Sequence, residues 1–203
     1  MIITWYGEAC FLLESGGTRV LIEPPQKESG INPPRLKSDV LIYSKPRGES
    51  ASWRIAGQES EAFIIDSPGE YEIKGVNIQG FADNKNIIYN IEMDDIKIIH
   101  LGFANKKFDN EKLAEFDDPD IVLAPVGGND ILDAEGAMNI INQLEPSIAI
   151  PMLYDIKGLE IKRAPLSAFL KESEAKESPQ PKLIIKKKDL TEEETKIIIL
   201  EKS

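Results

Sequence analysis

The first hundred residues read as short apolar runs separated by turn chemistry. Residues 2–6, 10–14, 19–23 and 40–43 are predicted strands, either alternating apolar and polar positions or forming a brief continuous apolar run. Ser15-Gly16-Gly17-Thr18 joins the second to the third as a hairpin, because both glycines accept positive φ. Residues 24–38 hold four prolines and read as loop, and residues 44–53 are polar and irregular. Residues 62–66 predict another strand, stopped by Ser67-Pro68-Gly69. Residues 71–81 alternate with period two and are broken at Gly75, and residues 86–92 and 96–101 predict a hairpin about Asp94-Asp95.

The second half changes character. Residues 110–116 predict a short helix and 120–124 a strand leading into Pro125-Val126-Gly127-Gly128. Ala134, Ala137, Ile140, Ile141 and Leu144 recur at helical spacing, with Asp133 placed to cap the N-terminus and Pro146 just past the end. Residues 147–151 predict a buried strand, 165–171 a helix and 172–181 a charged loop, and 183–187 with 196–200 a last strand pair. The expectation is one α/β domain over residues 1–203.

Composition narrows the function. Lys plus Arg number 24 and Asp plus Glu 35, a formal charge of −11 spread over both halves of the 203 residues. Such a field repels phosphate backbones, so no nucleic-acid partner is expected. No run approaches the ~18 apolar residues that span a bilayer, and the N-terminus lacks the basic and apolar regions of a signal peptide. A cytoplasmic location without membrane association is expected, with a homo-oligomer or a protein partner left open. Cys10 is the single cysteine and His100 the single histidine, which excludes intramolecular disulfides, multi-cysteine metal sites and histidine-rich metal sites.

Several short motifs follow one another in a recognisable order. These are Gly7-Glu8-Ala9-Cys10-Phe11, Leu21-Ile22-Glu23-Pro24, Ser67-Pro68-Gly69-Glu70-Tyr71-Glu72 and His100-Leu101-Gly102. Pro125-Val126-Gly127-Gly128, Leu132-Asp133-Ala134, Leu144-Glu145-Pro146 and Ile150-Pro151-Met152 come after them. Together they resemble the metallo-β-lactamase-fold hydrolases of the small bacterial and archaeal type. The resemblance implies a metallo-β-lactamase-like αβ/βα four-layer sandwich with two mixed β-sheets. It also implies one or two zinc ions, held chiefly by an HxHxDH motif after a buried strand. Here Lys45, Arg47 and Ser50 stand at the histidine positions of that motif and Glu49 at the aspartate. Glu8 replaces the histidine of the opening motif, Phe103 an acid and Leu153 a further histidine.

Two expectations follow from those replacements. The first is a non-catalytic member of the fold, with no cofactor-binding residues and no metal expected at Glu8, Lys45, Arg47, Glu49, Ser50, Phe103 and Leu153. Such a chain would act in binding or assembly, or beside an active paralogue, with Lys45 and Arg47 neutralising Glu49, Glu8 and Glu70. The alternative is a hydrolase with a rebuilt carboxylate-based or metal-free site in the same cleft. Its candidate catalytic residues are Glu49, Glu70 and His100, with Lys45 or Arg47 holding an anionic substrate. Each candidate has a plainer reading beside it: His100 bonding a loop carbonyl, Glu70 capping a turn, Glu49 in an ion pair and Cys10 buried as a small apolar residue.

Overall fold

A computed structural model describes residues 1–45, 62–116, 118–176, 178–191 and 194–203. Its strands form two mixed sheets. The first contains β1 (Ile2–Trp5), β2 (Phe11–Ser15), β3 (Thr18–Ile22), β4 (Val40–Ile42), β5 (Phe63–Ile65) and β12 (Leu183–Ile184), in the order β12-β1-β2-β3-β4-β5. The second contains β6 (Gly69–Ile73), β7 (Val76–Asp83), β8 (Asn86–Met93), β9 (Ile96–His100), β10 (Ile121–Pro125), β11 (Ile148–Met152) and β13 (Lys196–Ile197). Its order is β13-β11-β10-β9-β8-β7-β6. The helices are α1 (Asn110–Ala114), α2 (Ala134–Leu144) and α3 (Leu166–Ser173).

The period of two decides which side chains meet. Phe11, Leu13, Val20, Ile22, Val40 and Ile42 point inward and join one large core with Tyr89, Ile91, Ile98 and Leu123 of the second sheet. Leu12, Leu21 and Leu41 point the other way and form a small separate cluster with Cys10 and Tyr43. α2 packs on β10 and against α3, with Gly136, Ala137, Ile140 and Ile141 buried. Asp133 caps it by accepting from the Gly136 N–H at 2.8 Å.

Four sequence expectations change. The alternating stretch 71–81 is two strands, β6 and β7, because Lys74 and Gly75 take φ of +51° and +78° and turn the chain back on itself. The last strand pair does not form: β12 pairs with β1 and β13 with β11, so each closes the edge of a different sheet. α3 runs on into residues expected as loop, and the loop 24–38 contains a 3₁₀ turn at Lys27–Ser29. No helix among the described residues is long and apolar enough to cross a membrane.

Strand direction positions the site. β3, β4 and β5 run parallel to one another, as do β9, β10 and β11. The loops beyond their carboxyl ends are where ligands of open α/β sheets collect. Bonds between those loops tie the sheets together. The Ile87 N–H donates to the Ser44 carbonyl at 2.7 Å, and the Leu153 N–H to that of Glu8 at 3.3 Å.

Candidate active site

Glu8 sits in the tight β1–β2 turn with a left-handed φ of +50°, uncommon for a residue with a Cβ. Its carbonyl accepts from Trp5 Nε1 at 2.9 Å as well as from Leu153. Only 5% of the residue is exposed. Oε2 lies 3.6 Å from Arg163 Nη2, whereas Oε1 meets no hydrogen-bond donor among the described residues. Burial raises the Glu8 carboxyl above its ordinary range, against the opposing charge of Arg163. Arg163, itself buried, donates through Nη1 to Asp130 Oδ1 at 2.6 Å. Burial alone would raise Asp130, but the hydrogen bond and charge of Arg163 prevail and hold its carboxyl low.

This triad depends on a glycine. A Cβ on Gly127 would stand 1.9 Å from the Leu153 carbonyl oxygen and 2.9 Å from Arg163 Cδ. The Ala164 N–H donates to the Gly127 carbonyl at 2.7 Å and folds the 161–165 segment over the cleft. Leu153 takes φ of +59°, so strained backbone lies on both sides of the Glu8–Leu153 bond.

A second group lies close enough for the Lys45 charge to act on Glu8 and Asp130. Lys45 Nζ stands 3.8 Å from the Phe103 ring centroid. The Phe103 N–H donates to Asn86 Oδ1 at 2.8 Å. Gly102, at φ +58°, could carry no Cβ, which would meet Asn86 Oδ1 at 2.4 Å and Ser44 Oγ at 2.8 Å. Ser44 is fully buried, and its N–H donates to Glu23 Oε2 at 2.5 Å. Burial pushes the Glu23 carboxyl up to about 7, although the Ser44 N–H and the Lys45 charge oppose it.

His100 is fully buried beneath this group. Its Nδ1 accepts from the Gly102 N–H at 3.2 Å, which assigns the proton to Nε2, and Nε2 donates to the Ala9 carbonyl at 3.0 Å. Burial pushes its pKa down to about 4. Both ring nitrogens are occupied, so His100 ties the β1–β2 turn to β9 and offers no free base. Glu70 is exposed on β6, three strands from β9, with Gln79 Nε2 at 3.4 Å. It takes no part in the cleft. Arg47, Glu49 and Ser50 lie outside the described residues.

Lys45 is therefore not paired with Glu70; Glu8 has Arg163 as its ion-pair partner, with the Lys45 charge a lesser influence on it, and the expected roles of Arg47 and Glu49 lie outside the described residues. Arg163 and Asp130 escape sequence reading because Ile161-Lys162-Arg163-Ala164 carries no motif. Tertiary bonds of this segment to Gly127, Asn129 and Asp155 bring the guanidinium to Glu8. Glu23 lies inside the quoted Leu21-Ile22-Glu23-Pro24 motif and Ser44 at the start of the loop 44–53, but neither carries a chemical signature of its own.

Residues 2–153 match the family model of the β-lactamase superfamily domain. The chain belongs to the β-lactamase superfamily. A superfamily protein from Thermoplasma acidophilum, named a UPF0173 metal-dependent hydrolase, is 26% identical over 75% of this chain and 83% of its own length. One of the same name from Thermoplasma volcanium is 29% identical over 75% and 83%. A crystal structure from Thermotoga maritima, assigned to the Zn-dependent hydrolases of the metallo-β-lactamase superfamily, superposes with a TM-score of 0.82. It is 28% identical and covers 98% of both chains.

These names overturn the expectation of a non-catalytic, cofactor-less member: the relatives are hydrolases, and metal-dependent ones. Loss of histidines removes one type of donor; it does not by itself remove a reaction from the cleft. The donors described here nevertheless do not fit a zinc centre, which takes about four His, Cys or carboxylate ligands. Among the described residues, the replaced positions supply the Glu8 carboxylate, the Lys45 ammonium, the Phe103 ring and the Leu153 side chain. No group of three or more His, Cys, Asp or Glu among the described residues is placed to hold a metal. What this arrangement supplies is a buried carboxylate with one oxygen that meets no donor among the described residues, flanked by two cations.

Proposed function

We propose that this superfamily member is a hydrolase whose reaction takes place in the cleft between Glu8 and Lys45. Glu8 is the proton-transfer group and Lys45 the cation that meets an anionic part of the substrate. The observation that carries this reading is Glu8 Oε1, an acceptor held out of water with no donor among the described residues. A buried unsatisfied carboxylate oxygen costs stability and is retained where it has a task. Strain at Glu8 and Leu153 points the same way.

The raised Glu8 pKa suits proton transfer, because a carboxyl titrating nearer neutrality serves both as base and as acid. Arg163 limits that rise and orients the carboxylate, and Asp130 orients Arg163 in turn. An acidic chain whose one cysteine is buried suits a reducing cytoplasm.

The test is turnover of chromogenic phosphomonoesters, phosphodiesters, carboxylic esters, thioesters and β-lactams by wild type and Glu8→Gln, each with chelator and with added divalent cations. Wild type should turn over at least one class, and E8Q should lower kcat roughly 100-fold or more. Turnover that survives E8Q, or none in any arm, overturns the proposal.

A further inference from the structure

Glu23 takes no part in the proton transfer assigned to Glu8, yet it is built into the same cleft. It leaves β3 in a left-handed conformation, φ +45°, and its N–H donates to the Ile42 carbonyl at 2.8 Å. Oε2 accepts from the Ser44 N–H at 2.5 Å. Ser44 is the crossing point of the two sheets, with its carbonyl bonded to β8 and its Oγ under Gly102. The next residue is Lys45, whose ammonium rests on Phe103.

We propose that Glu23 is the positioning residue of the cleft: its carboxylate pins Ser44 and attracts Lys45, holding the ammonium over Phe103, and protonation of Glu23 releases it. This inference rests on the cleft being the reaction site. Among the described residues, the groups that face Glu23 come from three elements. Cys10, before β2, is a buried thiol pushed well above its ordinary pKa by burial and then by Glu23 itself. Tyr89, on β8, is raised by burial, with Glu23 among the lesser causes. Lys45, after β4, is the cation among them and acts to lower Glu23.

Cys10 and Tyr89 are therefore neutral across the range in which Glu23 titrates. Neither of them screens Glu23 from Lys45 by titrating, although Lys45 also feels the carboxylates of Glu8 and Asp130. Charged Glu23 keeps Lys45 in place; protonated Glu23 leaves it, among the described residues, to the ring and the charges of Glu8 and Asp130. The cleft then presents its cation to an anionic substrate in alkaline solution and less so in acid.

The experiment follows Glu23 Cδ, Lys45 Cε and the Phe103 ring by NMR on the labelled full chain between pH 5 and 9. In wild type all three should titrate together with a midpoint near 7. In Glu23→Gln the Lys45 and Phe103 signals should lose the step with midpoint near 7, keeping only the change that follows Glu8. In Lys45→Met, a change at an exposed residue, the Glu23 midpoint should move upward. Flat Lys45 and Phe103 signals in wild type, their unchanged titration in E23Q, or an unmoved Glu23 midpoint in K45M would overturn the proposal. None of these signals needs turnover. Loss of the hydrolase reading through E8Q would leave the coupling standing, and loss of the coupling would leave E8Q-sensitive turnover standing.

Discussion

Glu23 and His100 shape the pH dependence of stability in opposite directions. Glu23 is raised from 4.5 to about 7 on folding, so between those values the folded chain binds its proton more tightly than the unfolded one. Its contribution is complete in acid and is lost as pH rises through that window, on the order of 3 kcal/mol at ~1.4 kcal/mol per unit. His100 falls from 6.5 to about 4, so its contribution is complete above 6.5 and is lost as pH falls toward 4. The two slopes offset each other between about 4.5 and 6.5. Glu23→Gln removes the charge but keeps an acceptor for the Ser44 N–H. It should raise Tm at pH 8 and leave it nearly unchanged at pH 5, measured by calorimetry. An equal shift at both values would show that Glu23 does not titrate in this window. The sequence displays His100 because it is the lone histidine. It cannot display Glu23, whose behaviour comes from burial and from Ser44 and Lys45, 21 and 22 positions along the chain.

At the scale of elements, legibility follows how local the determining contacts are. α2 was readable because its apolar spacing, its Asp133 cap and Pro146 lie within one stretch. The Gly16-Gly17 and Asp94-Asp95 hairpins were readable because the turn residues themselves carry the required positive φ. β12 and β13 were not, since two-residue strands take their partners from whichever sheet edge the rest of the fold presents. α2 offers a controlled pair of tests. Asp133→Ala should cost about 1 kcal/mol by freeing the Gly136 N–H. Glu145→Gly, at a C-cap with φ +44°, should gain about 0.5 kcal/mol by relieving the left-handed conformation. Gly127→Ala should lower the urea midpoint far more than Asp133→Ala, since its Cβ would overlap the Leu153 carbonyl. A Gly127→Ala midpoint within the range of Asp133→Ala would mean the two loops can part without cost.

Across the whole molecule, the cleft is assembled from Glu8, Glu23, Lys45, Phe103, Asp130 and Arg163, whose positions span most of the chain. Motif order could announce the scaffold that brings them together, but not the pairing of Arg163 with Glu8, which depends on a loop folding back through Gly127. The field around that cleft is also a property of the whole chain. Surface pairs such as Arg19–Glu14 and Lys107–Glu135 contribute at most about 1 kcal/mol each and weaken as salt is added. The net charge of −11 acts the other way, because the excess of 35 acids over 24 bases leaves a net repulsion that opposes the compact state and is itself screened. Raising NaCl from 10 to 150 mM shortens the screening length from roughly 30 to 8 Å, which removes long-range repulsion while leaving contacts of about 3 Å largely intact. The buried Glu8–Arg163 pair is screened least of all. The sum predicts a Tm that rises by a few degrees over this range at pH 8, and rises less at pH 5 as carboxylates begin to protonate. A Tm that falls with salt at pH 8 would show that the local ion pairs outweigh the repulsion, and that the excess acids lie farther apart than the composition implies.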